Sequence, residues 1–564
     1  MLEQTLIQTT TQTTPVPVPS LTSTEFQLSP RGHADTARPD ALAIARAAIL
    51  HLNGDPQRAL ESLLSVSHEE ETADLLIARG YLQVELKQFE PAWDTFSRVV
   101  TLQPASAEAL FQQGLCLHKL GRIAEALSCF EKAAPLRPDW IEIPLARAIC
   151  HLSLKQYITA MEQAEVCLRL DPNYHPAISV KAVALHLTWE PERASVLYQQ
   201  VLRFNPGCVQ TLMNLVTLAL QQKKYDEVRQ WASELMTAQP DNALAVEGMA
   251  VAAFYRNDFE NSRRYYEKLT EIAPEMAEHW LNLGTTLQKQ ARLEESAHAY
   301  ARAVRVRPDS LNAHLYLGAV LWKAGDLAGA CSAYETASLK WPDREELTLS
   351  HSQVLEAMHQ TANAETVCAK FCDRTPNRAP VWFRLGYLQW KRGAADQAIA
   401  SFESALELHP GWTEAEINLA LACQATGQMD RAQSLLETVR GREPNHAGAL
   451  RALATLTLNQ SKPEQALALH KQLIDLGEAN EDVYFNCGVL AQSLNRQEDA
   501  IRYYREAIAL RKNFAEALLN LGHVLAAMGQ TAEAKSYWVP ALELKPEFAL
   551  TYFRRGFEPT AKRS

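Results

Sequence analysis

No stretch of this 564-residue chain approaches about 18 consecutive apolar residues, so nothing in it is suited to cross a membrane as a helix. It has no long basic run. Lys and Arg number 55 against 66 Asp and Glu, a net charge of -11, which argues against nucleic acid as the main partner, because phosphate binding needs a concentrated cationic face. There is no phosphate-binding GxxxxGK loop, no GxGxxG after a strand, and no strand-like segment to carry one. The 16 histidines show no spacing that would join them to a nucleophile and a carboxylate. The ten cysteines are scattered and unpaired in pattern, most of them in apolar helical positions such as Cys116, Cys150, Cys167 and Cys423, as expected of buried thiols in a reducing, cytoplasmic setting. These absences lead to the expectation of a chain that is not an enzyme and has no cofactor or metal.

What the sequence does have is proline at a fixed step. Pro104, Pro138, Pro172, Pro206, Pro240, Pro274, Pro308, Pro342, Pro376, Pro410, Pro444 and Pro546 are spaced by 34 residues or a multiple of 34, interrupted only at Glu478 and Lys512. Proline is tolerated where a helix has just ended, so the series marks fourteen equivalent helix exits. The unit from Ala277 to Ser310 stands for all of them, and the repeat runs without insertion from Ala73 to Phe548. Its eighth position is small throughout, as at Gly80, Gly114, Ala148, Gly318, Gly386 and Gly522. The twentieth is Ala in eleven units, with Val228, Ser262 and Ser296 in the others. The twenty-fourth is often aromatic, as at Phe96, Phe130, Tyr198, Tyr334, Phe402 and Trp538. Small residues let paired helices approach, and the rings fill the space that is left.

Trp280, Leu283, Gly284, Ser296, Tyr300, Ala303 and Pro308 are similar to the pattern of the tetratricopeptide repeat (TPR) family, and the resemblance extends over most of the chain. It implies an all-α, right-handed α-solenoid, a superhelix of about 14 helix-turn-helix units with degenerate units at its ends. It also implies that the first helix of each unit lines a concave groove, and it names a fold more firmly than an activity.

Around that array the expected organisation is simple. Residues 1–38, rich in Thr, Gln and Pro, are expected to be a disordered arm. Residues 39–72 form a degenerate N-terminal capping hairpin around an Asn53-Gly54-Asp55-Pro56 turn, and 73–548 are the fourteen units. Residues 549–564 supply a partial C-terminal capping helix with Tyr552, Phe553 and Phe557 as apolar contacts, followed by a tail. Gly121, Gly325, Gly393, Gly427, Gly529, Asn257 and Asn495 mark the turns within hairpins. Pro144, Pro176 and Pro380 fall in first helical turns, Pro191 and Pro463 in turns, and Pro540 inside a second helix that it should kink.

For function, the most distinctive side chains lie in the units from 277 to 412. Trp322, Phe383, Tyr387 and Trp390 are expected in the groove beside Lys289, Lys323, Arg384 and Lys391, a set suited to an extended peptide or partner helix. Asn214, Asn282, Asn418, Asn486 and Asn520 share the sixth position, where amides can contact a peptide backbone. That array is similar to the ladder in the TPR half of O-linked N-acetylglucosamine transferases, although residues such as Gln112, Gly248 and Arg384 interrupt it here. A chaperone-type carboxylate clamp is not expected, since Thr455 and Glu516 stand where Asn and Lys would be needed beside Arg451 and Asn486. Cys368 and Cys372, one turn apart near His351 and His359, are read as packing. The acidic residues at second positions, such as Glu278 and Glu414, complement the helix dipole. The expectation is a non-catalytic scaffold for protein partners. The alternatives are a substrate-recruiting subunit beside a separate enzyme such as a glycosyltransferase, and a self-associating structural subunit, a homo-oligomer.

Overall fold

A computed structural model describes residues 39–67 and 71–556. The arm over 1–38 and Phe557 lie outside the described residues. Among the described residues there are 31 α-helices and no strand, and the helices pair into consecutive antiparallel hairpins. In a typical unit a first helix of 13 residues, such as Ala243–Tyr255, is followed by a second of 14, such as Phe259–Ile272. The chain divides into two compact units, Met1–Arg292 and Leu293–Ser564.

The turn inside each hairpin has one conformation. In every repeat the fifteenth residue is left-handed, from Lys87 (φ 59°) to Gly529 (φ 84°). Its N–H and that of the next residue close the first helix in the same way each time. Gly121 donates to His118 O at 3.0 Å and Arg122 to Leu117 O at 2.9 Å, the pattern of a Schellman cap. The expected glycines and asparagines occupy this position, but so do Lys87, Lys155, Trp189, Lys223, Ala291, His359 and Ser461. Tertiary packing imposes the turn even where the side chain disfavours it.

Prolines do as the spacing suggests at most places, with two refinements. Pro191 and Pro463 begin second helices and are not in the preceding turns, because a fixed φ and a missing N–H suit the first helical position. Pro135 closes the helix Ile123–Ala133 early, at 11 residues. The helix Thr531–Leu544 continues past Pro540.

The small eighth position is explained by what faces it. A Cβ built on Gly80 would sit 2.6 Å from Phe96, on Gly114 2.6 Å from Phe130, and on Gly386 2.8 Å from Phe402. On Gly488 it would meet Tyr504 at 2.6 Å, and on Gly522 Trp538 at 2.4 Å. The ring therefore occupies the space that a Cβ on the first helix would take. Where the eighth position has a side chain, the twenty-fourth often shrinks, as in Ala148 with Ala164, Val216 with Ala232, and Ala420 with Leu436.

Within the first compact unit, the hairpin Pro39–Leu52 and Pro56–Leu64 packs Ala59, Leu60 and Leu63 against Leu75 and Leu82 of the helix Ala73–Glu85. Arg79 ties them together: it donates to Glu71 at 2.6 Å and to the Leu63 carbonyl at 2.9 Å, and Arg98 reaches the same carboxylate. Within the second, Tyr552 of the helix Ala549–Gly556 packs edge-on against Trp538 at 4.9 Å, whereas Phe553 is exposed and makes no comparable burial. In each compact unit, first helices of successive hairpins touch one another along the stack, for example 175–187 with 209–221 and 345–357 with 379–391, and second helices do so less. Each stack therefore bends toward its first-helix side, and that side is where the candidate residues lie.

Candidate functional site

Trp322 and Lys323 end the helix Leu311–Lys323, and both are exposed. Phe383, Arg384, Tyr387, Trp390 and Lys391 share the helix Ala379–Lys391. Lys289 belongs to the other compact unit. The structure gives the residues of helix 379–391 packing work that their types did not announce. The Phe383 ring lies 4.6 Å from Trp412 and 5.7 Å from Phe402, filling the joint between its hairpin and the next. Tyr387 and Trp390 are half-buried against the same core.

Two of the expected cations converge on one carboxylate. Arg384 donates to Glu356 at 2.6 Å and to Ser352 Oγ at 3.0 Å, and its guanidinium lies 5.5 Å from the Tyr387 ring. Lys391 reaches the other Glu356 oxygen at 2.6 Å. Burial works against ionising Glu356, but the bonds from Lys391 and Arg384 outweigh it and hold its carboxyl below the ordinary range. The surface offered to a ligand here is therefore less cationic than the sequence suggests. Trp322 and Lys323 are exposed.

The sixth-position asparagines do not form one ladder. Asn214 is only 4 % exposed, accepts from Gln210 at 3.1 Å and lies against the Tyr198 hydroxyl, so its amide serves the interior. Neighbouring first helices press closely together there, which withdraws the sixth position from solvent. Asn418 donates to the Glu414 carbonyl of its own helix at 2.7 Å. Asn486 and Asn520 are half-buried.

Asn282 has a different setting. It lines a cavity of about 290 Å³ with Thr285 of its own helix, Val251, Phe254 and Tyr255 of the preceding first helix, and Tyr266 of the intervening second helix. Tyr255 stacks flat on Tyr225, with ring centroids 4.0 Å apart and planes 7° apart, and stays 58 % exposed. Sequence reasoning missed this cavity although its signal was present. Phe254 occupies the twelfth position of its unit, the same position as Trp322 and Trp390.

The sulfur chemistry is quiet. Burial pushes the Cys368 thiol up to about 11 and that of Cys372 up to about 12, so both are protonated thiols in the core. Among the described residues no group of three or more His, Cys, Asp or Glu side chains is placed to hold a metal ion. Among them, too, no helix is long and apolar enough to cross a membrane.

Tetratricopeptide-repeat family models match residues 107–140, 248–297, 281–343, 389–456, 492–529 and 515–548. The BBSome complex member BBS4 of Bos taurus is 26% identical over 190 residues, 34% of this chain and 36% of that protein. The DnaJ homolog subfamily C member 7 of Homo sapiens is 20% identical over 225 residues, 38% of this chain and 46% of that one. The match thus spans between about a third and a half of the length of these relatives. Among solved structures, the APC/C hetero-tetramer Cut9-Hcn1 aligns over 86% of this chain and 97% of its own, at 16% identity and a TM-score of 0.34. The repeat period, the glycine-on-ring packing, the shared turn and the family matches have one conclusion: the chain is a tetratricopeptide-repeat protein.

Proposed function

We propose that this chain is a non-catalytic scaffold whose first-helix faces receive a peptide or helix of one or more protein partners. Proteins of this repeat family generally act as interaction scaffolds, and one relative is named as a member of a complex. The observation that carries the reading is the half-open aromatic and amide surface on first helices. Tyr255, Trp322 and Asn282 belong to first helices, and Tyr255 and Trp322 keep exposed ring surface while Asn282 lines a cavity. Aromatic rings that keep one face open are typical anchors at interfaces. All ten cysteines are unpaired thiols, which fits the reducing cytoplasm.

The test is affinity capture with the full chain, comparing the wild type with Tyr255→Ala and with the pair Trp322→Ala, Lys323→Ala. Leu339→Ala serves as control, because Leu339 lies on a second helix at 82 % exposure. The reading predicts that a first-helix variant loses a partner that the control retains. Retention of every partner by both first-helix variants contradicts it. An enzyme among the lost partners identifies a recruiting subunit, and recovery of an untagged copy of the chain identifies self-association.

A further inference from the structure

The helix face that supplies Val251, Phe254 and Tyr255 to the cavity beside Asn282 carries a carboxylate one turn earlier. Glu247, Val251, Phe254 and Tyr255 follow one another at i, i+4, i+7 and i+8 along the helix Ala243–Tyr255, so they share a face. Glu247 is largely withdrawn from water; burial raises its pKa, His279 opposes that rise and Glu278 adds to it. Its charge is also felt at the Tyr266 hydroxyl, whose ring lines the cavity. Among the described residues Glu247 forms no ion pair with a lysine or arginine. Arg256, the nearest cation along the chain, is engaged with Asp226.

The walls complete the description. Phe254 meets Tyr255 edge-on at 5.6 Å and Phe259 at 5.5 Å, and Tyr225 holds Tyr255 by stacking, so the rings are fixed before any ligand arrives. A carboxylate withdrawn from water without a lysine or arginine partner is costly, and ring faces attract positive charge. A cationic group entering between them satisfies both.

We propose that this cavity takes the cationic head of a lysine or arginine side chain carried by a bound partner segment. Phe254, Tyr255 and Tyr266 supply the walls, Glu247 the counter-charge and Asn282 a hydrogen-bonding amide. The proposal rests on the reading that first-helix faces receive a protein segment, and it names the chemistry selected there.

The test uses the full chain labelled with 3-fluorotyrosine, with the Tyr255 fluorine resonance assigned by Tyr255→Phe. The probes are the Nα-acetyl methylamides of lysine, arginine and norleucine. A saturable shift of the Tyr255 signal is expected with lysine, arginine or both, and the two arms decide which head group is preferred. Binding should be about tenfold weaker for norleucine, and about tenfold weaker for the cations in Glu247→Gln. Unshifted signals from the remaining tyrosines show that this variant is folded, and Phe254→Leu supplies a second wall variant with the same expected loss. Equal binding of norleucine, no effect of Glu247→Gln, or no saturable shift overturns the proposal. Loss of protein partners in Tyr255→Ala alongside a silent probe titration would sink this inference alone. Probe binding without any partner loss would sink the scaffold reading and leave the cavity standing.

Discussion

At position 223 a lysine holds φ at 57°, a left-handed backbone that its Cβ disfavours. The side chain is exposed, so the turn is its whole structural role. Lys223→Gly should stabilise the hairpin by ~0.5–1 kcal/mol, because relief of the steric cost exceeds the extra freedom of glycine in the unfolded chain. Gly393→Ala, at φ 88°, should do the opposite by about 1 kcal/mol. Hydrogen exchange of the two hairpins measures both, and equal signs would contradict the account. His118 gives a pH dependence. Burial, with Lys119 adding to it, lowers its pKa to about 4, and its Nε2 is shut from water without a partner. The folded value lies below the unfolded value near 6.5, so its contribution is full above about pH 6.5 and is lost as pH falls toward 4. Between neutrality and about pH 5 the helix Ala107–Lys119 should lose on the order of 2 kcal/mol that His118→Asn does not lose. Exchange rates corrected for their intrinsic pH dependence report the difference, and identical profiles would refute it.

Hairpins are matched pairs of positions. Gly386 with Phe402 in one unit corresponds to Ala420 with Leu436 in the next. Gly386→Ala should cost about 1–3 kcal/mol, since its Cβ would press on the Phe402 ring. Adding Phe402→Leu should cost less than the sum of the two single changes. Thermal melts and exchange within 379–408 decide it, and simple additivity would argue against the pairing. Much of this was legible from the sequence, because the period, the small positions and the prolines are each fixed by contacts inside one unit. The charge pattern was not. Arg384 with Glu356, Arg505 with Glu533, and Lys545 with Glu516 are 28, 28 and 29 residues apart, bonds between successive hairpins that no search at helical spacing finds. Asn214 was misjudged for a related reason. Its position in the repeat says where it points, but not how tightly neighbouring first helices close over it.

For the molecule as a whole, the claim is that work is done on the first-helix sides of the two stacks. Charge pairs between successive hairpins and buried thiols are accounted for by packing, whereas Tyr255 and Trp322 are among the exposed aromatics. Each lies in a different compact unit. The direct measurement places a photoreactive phenylalanine at position 255, 322 or 339 of the full chain, irradiates it in cell extract, and identifies the crosslinked peptides. The account predicts protein adducts at 255 or 322, carried by a peptide with lysine or arginine when the adduct forms at 255, and none of them at 339. The same adducts at 339, with none at the two first-helix positions, would contradict it.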